Sequence, residues 1–397
     1  MPININSWLK ELLGEDVFQG SISSNSSVAE YFVVPNNQNP KLLFPKNLNK
    51  KGLLNSFDLY PVLTPKHFLK KSMISTMYRF RFLLPTSFSL SIGNRDVAKR
   101  VYQKISDCQK NYSKVAFCSM RTGSAGKGKK LIFQFLDAHG NILSYIKLGD
   151  ASYRGKWLDN ECATLEYLKE TCKNLIVFPD VIGYKKSSSY VALELSPLRN
   201  FHYYPQQSYQ YLADILSQLV MRTKSEPLYE FDNQEDLLRK YIKNSQLAEV
   251  IINHLEYAKN TLKVWSIAHR DMPAWNVLSN DKGEIAILDW EFARKGHNPF
   301  QDMFHYKIHT HIHNSGKTPE KIIMSLFRDK STKTTIAWFG CKIGVTDPHT
   351  IFSLFILYLW DWYKLERDNA QTEEQGQQYL HILKYLGSNE NSYKYFI

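Results

Sequence analysis

Three oxygen-bearing side chains stand at intervals that suit the binding of a hard cation. In HRDMPAWNVL, Asp271 precedes Asn276 by five positions, and ILDWE supplies Asp289 eighteen positions after Asp271. Pro273 excludes an ordinary helix interior, so we expect Asp271 and Asn276 on a loop. The apolar run EIAIL predicts a buried strand that delivers Asp289 at its end. Carboxylate and amide oxygens are ligands that Mg²⁺ prefers, commonly together with phosphate oxygens.

A second stretch, RTGSAGKGKK, has the composition of a phosphate-binding loop. Gly123, Gly126 and Gly128 would let the backbone approach a phosphate closely and leave amide donors available, and Ser124 lies between the first two. The alternative is a tight hairpin turn, for which glycine is equally common. The Gly-x-Gly-x-x-Gly order is absent, so the spacing leaves both interpretations open.

The elements around these motifs predict an α+β protein. Three strand-like runs, KVAFCSM, LIFQFLD and ILSYIKL, are separated by short connections and favour an antiparallel sheet. A helix is predicted over 156–171 from apolar residues at helical spacing, and NLIVFPDVIGY and SYVALEL are two further strand candidates. After Pro197 the chain is mostly helical, with a strand-rich interruption around 269–291. We expect a two-lobed architecture: a small antiparallel lobe with one helix over 111–197 and a helical large lobe over 198–397.

Residues 1–110 are expected to form an N-terminal extension of unknown role. SWLKELL is helix-like, YFVV and KLLF around PNNQNP predict a hairpin, and FLKKSMISTMYRFRFLL is predicted to be helical. No residue in this region carries an identifiable chemistry.

HRDMPAWNVL and ILDWE resemble the catalytic and metal-binding loops of the protein kinase-like superfamily, within it the aminoglycoside phosphotransferase and choline kinase branch. The resemblance covers roughly 114–306 and implies a protein kinase-like fold. It implies that Asp271 is the catalytic base and that Asn276 and Asp289 bind Mg²⁺. HNPFQDMFHY resembles the segment that follows in small-molecule phosphotransferases, which makes Asp302 an expected structural anchor.

The same resemblance implies a site for ATP. Lys147, in SYIKLG, stands where a lysine holds the α- and β-phosphates, although an exposed strand lysine is the alternative. Its partner is predicted to be Glu161 rather than Glu166, because Glu161 lies within the apolar stripe of its helix and a buried carboxylate needs a cation. Gly123, Ser124 and Gly126 would contact phosphate, and LELSPL resembles the hinge that binds adenine around Glu194 and Ser196.

The resulting hypothesis is an ATP-dependent phosphotransferase acting on a hydroxyl of a sugar, amino alcohol or glycan-related metabolite. Trp290 and Glu291 replace the Asp-Phe-Gly loop of protein kinases and no Ala-Pro-Glu follows, which favours a small acceptor. Arg270 stands where small-molecule phosphotransferases usually carry glycine, which keeps a protein acceptor open. A non-catalytic nucleotide-binding scaffold is the third possibility, supported by the basic charge and the N-terminal region.

Charge and composition limit the partners. Lys and Arg number 50 against 38 Asp and Glu, a net charge of +12, which favours anionic ligands and disfavours a polycationic aminoglycoside acceptor. No ordered nucleic-acid-binding module is present, so no nucleic acid partner is expected. The five cysteines form no Cys-x-x-Cys pair, no secretory signal is recognised, and the longest apolar run, 351–360, is half a membrane span. A cytoplasmic protein without a membrane span is expected.

Two further patterns have both a structural and a ligand-binding interpretation. His305, His309 and His313 are spaced four apart and could share a helix face that binds metal, but a polar, partly buried helix is preferred. The aromatic run LFILYLWDWYKLERD is interpreted as core, with some polar members available to an acceptor site.

Overall fold

The computed structural model describes the chain in nine segments, 29–34, 41–57, 89–92, 96–122, 130–203, 209–228, 234–314, 318–369 and 376–388, with Gly14, Leu59 and Thr76 singly. The chain divides into two compact units. The sheet unit comprises Met1–Glu166 and Pro179–Arg199, and the helical unit comprises Tyr167–Phe178 and Asn200–Ile397. The division between a sheet-containing and a helical part agrees with the α+β class predicted from the sequence.

The sheet unit is built on one antiparallel sheet of eight strands in the order β3-β1-β2-β4-β5-β6-β8-β7. Its strands are β1 Ala29–Val34, β2 Leu42–Pro45, β3 Ser89–Ile92, β4 Phe117–Thr122, β5 Lys130–Leu136, β6 Ile142–Asp150, β7 Val181–Lys186 and β8 Tyr190–Leu195. The helices described with it are α1 Lys50–Phe57, α2 Val97–Ile105 and α3 Gly155–Thr171, with a 3₁₀ turn at Gln109–Lys114. The three successive strands β4, β5 and β6 and the helix α3 confirm the sequence prediction.

Both faces of this sheet are buried, as the alternation of its strands requires. Leu43 and Phe133 point to the face covered by α2 and pack with Tyr102. Leu42 and Phe44 point to the other face, in a second cluster that includes the end of α1. Each strand residue therefore serves one of two apolar layers, which explains the nearly continuous hydrophobic runs in this part of the sequence.

The N-terminal strands continue the same sheet. β1 pairs with β2, with Phe32 opposite Phe44, so the hairpin predicted around PNNQNP is confirmed in its strands. β2 pairs in turn with β4, with Leu43 opposite Met120. The PNNQNP turn and the predicted helix SWLKELL lie outside the described residues, as does FLKKSMISTMYRFRFLL apart from Thr76.

The helical unit contains eight described helices and two small antiparallel sheets. Its helices are α4 Tyr209–Arg222, α5 Gln234–Tyr241, α6 Ser245–Thr261, α7 Gln301–Asn314, α8 Pro319–Phe327, α9 Lys330–Ile343, α10 Pro348–Asn369 and α11 Gln377–Gly387. Its strands are β9 His202–Tyr203, β10 Ser266–Ala268, β11 Val277–Ser279, β12 Ile285–Ile287 and β13 Arg294–His297. β10 pairs with β13, and β12, β11 and β9 form the other sheet in that order.

The long helix α10 is the centre of the helical unit. Every residue from 351 to 360 is buried, and Leu354, Phe355 and Trp360 have no measurable exposure. The aromatic run is therefore core, as predicted. Among the described residues no single helix is long and apolar enough to cross a membrane; α9 and α10 meet those limits of length and hydropathy only when taken together across a 103° bend.

One predicted strand is shorter than the sequence pattern suggests. In NLIVFPDVIGY only the second half forms β7, while Asn174 takes a left-handed φ of 66° that starts a turn. Pro179 lacks the N–H that a continued strand would need. Val177 instead forms an isolated parallel bridge to Ala286 within the helical unit. The apolar run is thus shared between two units rather than forming one strand.

Candidate active site

The loop after β10 is fixed by a buried carboxylate. The backbone N–H groups of His269 and Arg270 donate to the two oxygens of Asp302 at 2.8 and 2.9 Å. Burial raises the pKa of Asp302, while these two bonds and the neighbouring His269 and Arg270 side chains favour its ionised form. Asp302 lies in the first turn of α7, so the predicted anchor of this loop is confirmed.

Arg270 adopts a backbone conformation that suits glycine and is stabilised by its side chain. Its φ is 69°, in the left-handed region that costs an L residue roughly 1–2 kcal/mol. The guanidinium donates from Nε and Nη2 to the two oxygens of Asp361 at 2.9 and 2.8 Å, and Nη1 donates to the Phe292 carbonyl at 3.3 Å. Both partners are buried, so the pair ties the loop to α10.

Asp361 was not identified from the sequence as a member of this site. Its only sequence signal is that a carboxylate ends the apolar run at 360 inside an otherwise aromatic helix, and a buried carboxylate requires a cation. In the structure Gln301 Nε2 also donates to it at 3.3 Å, and Lys364 Nζ lies 4.0 Å away. Burial opposes ionisation, but Arg270, His297 and Lys364 together hold the pKa of Asp361 well below its usual value.

Asp271 follows directly and is the partly accessible carboxylate of the loop, with its side chain 25% exposed. Its backbone N–H donates to His269 Nδ1 at 3.2 Å, and its carbonyl accepts from Asn276 Nδ2 at 2.9 Å. Its Oδ1 lies 3.4 Å from Nε2 of His305, which is fully buried on α7. The loop therefore presents this carboxylate from a backbone fixed on both sides.

Asn276 and Asp289 are brought together by a hairpin. β11 and β12 pair with Val277 opposite Ile287, and the Leu288 N–H donates to the Asn276 carbonyl at 2.9 Å. The His269 ring nitrogen Nε2 donates to the Leu288 carbonyl at 2.7 Å. Asp289, the next residue, has a left-handed φ of 69°. One hydrogen-bonded arrangement thus connects the three positions whose spacing first suggested a cation site.

The ring of Trp290, the residue after Asp289, is fixed by contacts with the neighbouring loops. Trp290 is fully buried, donates from Nε1 to the Ile287 carbonyl at 2.9 Å, and packs on His269 with ring centroids 4.6 Å apart. Phe178 lies on another side of it at 5.8 Å. Trp290, which stands in place of the phenylalanine of the kinase motif, therefore packs between the loop that carries Asp271 and the loop that carries Asp289.

In the sheet unit, Lys147 of β6 and Glu161 of α3 form a buried ion pair. Nζ lies 2.5 Å from Oε1, with side chains 10% and 1% exposed. Of the two glutamates considered from the sequence, Glu161 is the one that contacts the lysine, and Glu166 is exposed. The helical period of the apolar stripe thus distinguished the two correctly.

Glu194 and Ser196, predicted to lie near adenine, make hydrogen bonds within the sheet unit. The Glu194 carboxylate is buried and accepts from Tyr102 Oη at 2.9 Å and Ser106 Oγ at 2.5 Å, which joins β8 to α2 and the segment after it. Ser196 donates its N–H to the Asp180 carbonyl at 2.9 Å and accepts the Asp180 N–H on Oγ at 2.7 Å.

The three predicted phosphate contacts, Gly123, Ser124 and Gly126, lie outside the described residues.

The histidines of α7 are the other group singled out by spacing. His305 is buried and His309 half-buried, with their rings 4.6 Å apart. Both pack on aromatic side chains of α10, which confirms the preferred interpretation of a partly buried polar helix for these two residues. The side chain of His313 lies outside the described residues.

The fold is similar to those of aminoglycoside phosphotransferases. APH(3'')-Id from Streptomyces rimosus aligns at 12% identity over 60% of this chain and 92% of its own, with a TM-score of 0.42. Aminoglycoside 2'-phosphotransferase-IIIa, solved as a GDP complex, aligns at 13% identity over 68% and 92%, with a TM-score of 0.47. Spectinomycin phosphotransferase APH(9)-Ia, solved with ADP and spectinomycin, aligns at 12% identity over 70% and 92%, with a TM-score of 0.40. No protein-family model and no curated protein matches the sequence.

Proposed function

We propose that this protein is an ATP-dependent phosphotransferase that moves the γ-phosphate to a hydroxyl group of a small molecule. The observation that carries the proposal is the loop held by Asp302, which presents Asp271 and is hydrogen-bonded to Asn276 and to the residue before Asp289. These positions have the types and spacing of a kinase base and its two metal ligands. The acceptor class is a sugar, an amino alcohol or a related glycan metabolite.

Asp271 would accept a hydrogen bond from the acceptor hydroxyl and orient its oxygen toward the γ-phosphorus. As the new oxygen–phosphorus bond forms and the bond to the β-phosphate oxygen breaks, the hydroxyl proton passes to the Asp271 carboxylate. Positioning dominates such a reaction, because phosphoryl transfer leaves little covalent chemistry to the protein. A backbone fixed by Asp302 before the base and by Asn276 after it suits that requirement.

Asn276 and Asp289 would hold Mg²⁺, which neutralises phosphate charge when bound. The donor set fits, because both side chains offer oxygen and Mg²⁺ prefers oxygen ligands. The Asn276 amide nitrogen is turned to the Asp271 carbonyl. Its amide oxygen therefore faces away from that carbonyl, which leaves it oriented as a ligand.

Lys147 would bind the α- and β-phosphates and Glu161 would position it. A lysine that is 8% exposed and held 2.5 Å from a buried carboxylate has lost the mobility of a surface lysine. The backbone near Glu194 and Ser196 would contact adenine, and Gly123, Ser124 and Gly126 would contact phosphate. In this assignment 111–197 binds the nucleotide, 198–397 carries the base and the acceptor site, and ATP supply implies a cytoplasmic setting.

A small acceptor is favoured over a protein by two observations in the helical unit. The Arg270 guanidinium is engaged with Asp361 and the Phe292 carbonyl, so its presence needs no protein substrate as an explanation. Between Asp289 and the start of α7 at Gln301 the chain forms only a 3₁₀ turn, Trp290–Phe292, and β13. That short connection lacks the length of a protein kinase activation segment.

The test is transfer of label from γ-³²P-ATP with Mg²⁺ to a panel of sugars, amino alcohols, aminoglycosides and a cell protein extract. We expect a labelled small molecule, and none with Asp271→Asn as the matched control. Label on protein alone would replace the small-acceptor assignment with a protein kinase. Binding of ATP without transfer to any acceptor or to water would support a nucleotide-binding scaffold instead.

A further inference from the structure

A chain of polar groups from two helices of the helical unit ends at Asp271. His305, on α7, places Nε2 3.4 Å from Asp271 Oδ1, a close polar contact that lies outside hydrogen-bond geometry. On the opposite side of the same ring, Nδ1 lies 3.4 Å from the hydroxyl of Tyr358 on α10. His305 and Tyr358 both have no measurable exposure, so the imidazole joins a partly accessible carboxylate to the interior of the helical unit.

Packing fixes the plane of this imidazole. The ring of Trp362 stacks on it with centroids 4.3 Å apart and planes within 17°. The ring of His309, one turn further along α7, lies 4.6 Å away, and Tyr358 meets the imidazole edge-on at 6.1 Å. Rings in contact on several sides cannot rotate freely, so both nitrogens of His305 keep their directions.

The contact with Asp271 favours one tautomer of His305. An ionised carboxylate only accepts hydrogen bonds, so the arrangement is favourable when His305 Nε2 carries the proton. In the neutral ring Nδ1 is then an acceptor, to which the Tyr358 O–H, 3.4 Å away, can donate. Burial raises the pKa of Tyr358 far above its ordinary value, which keeps its hydroxyl protonated. The neighbours on both sides are thus consistent with a single protonation pattern.

We propose that His305 is a positioning residue that orients the Asp271 carboxylate for phosphoryl transfer. Asp271 is 25% exposed, and a carboxylate at that exposure would sample several side-chain orientations without a fixed donor. The polar Nε2–H of the rigid ring attracts the nearer oxygen, Oδ1, toward the interior, which orients the other oxygen toward the acceptor. This role rests on the proposed function, because it concerns the base of that reaction.

The kinetic test uses two substitutions that separate ring packing from the polar contact with Asp271. His305→Phe keeps a ring against Trp362 but removes both nitrogens, whereas His305→Gln keeps an N–H near the position of Nε2. With Mg-ATP and water as the acceptor, we expect His305→Phe to lower kcat by roughly 10 to 100-fold, since small errors of alignment are costly in rate. The KM for ATP should stay within about twofold of wild type, and His305→Gln should recover most of the rate.

The control is His254→Gln, a half-buried histidine of α6 whose Nδ1 lies 2.9 Å from Ser353 Oγ. It should leave kcat unchanged. Unfolding curves for all variants show whether each is folded at the assay temperature. A folded His305→Phe protein with wild-type kcat would overturn the inference, as would a folded His305→Gln protein as slow as His305→Phe.

A second readout does not depend on catalysis. In protein labelled with ¹⁵N-histidine, the ring signals of His305 are identified by their loss in His305→Phe. Replacing Asp271 by alanine should shift these signals and leave those of His254 in place. Unshifted His305 signals would refute the contact even in an active enzyme. Shifted signals in a protein that neither hydrolyses ATP nor transfers phosphate would instead refute the proposed function and retain the contact.

Discussion

Arg270 and Asp361 form a two-point ion pair across 91 residues of sequence, with both guanidinium-to-carboxylate distances below 3 Å. The arginine occupies a left-handed backbone position with φ of 69°. Glycine adopts such a conformation without steric cost, so a glycine at this position would need no such partner. In this chain the ion pair stabilises a residue that the backbone alone would disfavour.

Removing one partner of this pair should destabilise the protein strongly. Asp361→Leu leaves the Arg270 guanidinium buried beside His297 and Lys364, and breaking a buried pair from one side costs about 3–5 kcal/mol. The double substitution Arg270→Gly with Asp361→Leu removes both charges and the backbone strain. We expect urea unfolding to show a large loss for the single variant and recovery of most of it in the double variant.

Two comparisons separate the charge effect from the backbone effect. Arg270→Ala with Asp361→Leu should be less stable than the glycine version by about 1 kcal/mol, because alanine keeps the unfavourable φ. Arg239→Ala removes an exposed pair with Glu235 and should leave stability nearly unchanged, because water screens such pairs. Equal stability of the glycine and alanine double variants would contradict the backbone explanation.

Asp302 should be required both for the stability of the protein and for its phosphotransfer activity. In Asp302→Asn the amide would present an N–H to a backbone N–H in place of one carboxylate oxygen, and an unsatisfied buried group costs about 1–3 kcal/mol. We expect a lower free energy of unfolding and loss of phosphotransfer. Asp329→Asn is the control: Asp329 caps α9 by accepting the Thr332 N–H at 2.9 Å. Asp329→Asn should lower stability without loss of phosphotransfer. If the control also lost activity, the loss in Asp302→Asn could be attributed to lower stability rather than to the loop.

The sequence predicted the parts of this structure that depend on local pattern. Short strand-like runs separated by turn residues identified β4, β5 and β6, the helical period separated Glu161 from Glu166, and Pro273 placed Asp271 on a loop. These features follow from the properties of a few adjacent residues, so no tertiary information was needed.

The contacts that the sequence did not reveal are those made between distant elements. The partner of Arg270 lies in α10, and the ring beside Asp271 comes from α7. The four-residue spacing of His305 and His309 showed only that they could share a face, because spacing does not say what the face packs against. The prediction of one strand over 174–184 was wrong for the same reason, since Val177 in the first half of the run bridges to Ala286, a distant position of the helical unit.

Asp271→Asn tests the role of the base. We expect kcat for phosphotransfer to fall by roughly 10²–10⁴-fold, the usual contribution of a positioned acid or base. ATP affinity, measured by calorimetry, should change by less than about twofold, because Asp271 is assigned to the acceptor and not to the nucleotide. A variant with wild-type kcat would remove Asp271 from the reaction, and a variant that loses ATP affinity would place it among the nucleotide ligands.

Substitution of Lys147 or Glu161 should weaken the binding of ATP. Lys147→Met removes a charge assigned to phosphate, and a hydrogen bond to a charged group is worth about 1.5–3 kcal/mol, so ATP should bind about 10 to 100-fold more weakly. Glu161→Gln should weaken binding less, because the lysine remains but loses its partner. Glu166→Gln, on the exposed side of α3, should leave affinity unchanged. Wild-type affinity in Lys147→Met would exclude the lysine from the nucleotide site.

The protein should be less stable in mild acid because of the buried His254. Burial, with a smaller contribution from His349, lowers the pKa of His254 from 6.5 to about 4. Below pH 6.5 His254 is therefore protonated in the unfolded chain while it stays neutral in the folded chain. The free energy of unfolding falls as the pH drops from about 6.5 to 4. One such group contributes up to about 1.4 kcal/mol for each pH unit. His297, whose pKa burial lowers to about 3 against the attraction of Asp361, acts in the same direction.

His254→Asn should remove the contribution of this histidine to the fall in the free energy of unfolding with pH. The asparagine amide can still meet Ser353 Oγ, which His254 contacts at 2.9 Å, so stability at pH 7 should change little while the loss between pH 6.5 and 4 becomes shallower. His139→Asn, at an exposed turn between β5 and β6, is the matched replacement of a histidine at the surface. Urea unfolding at half-unit steps of pH measures both. Parallel curves for wild type and His254→Asn would show that His254 is protonated equally in the folded and unfolded chains, against the burial seen between α6 and α10.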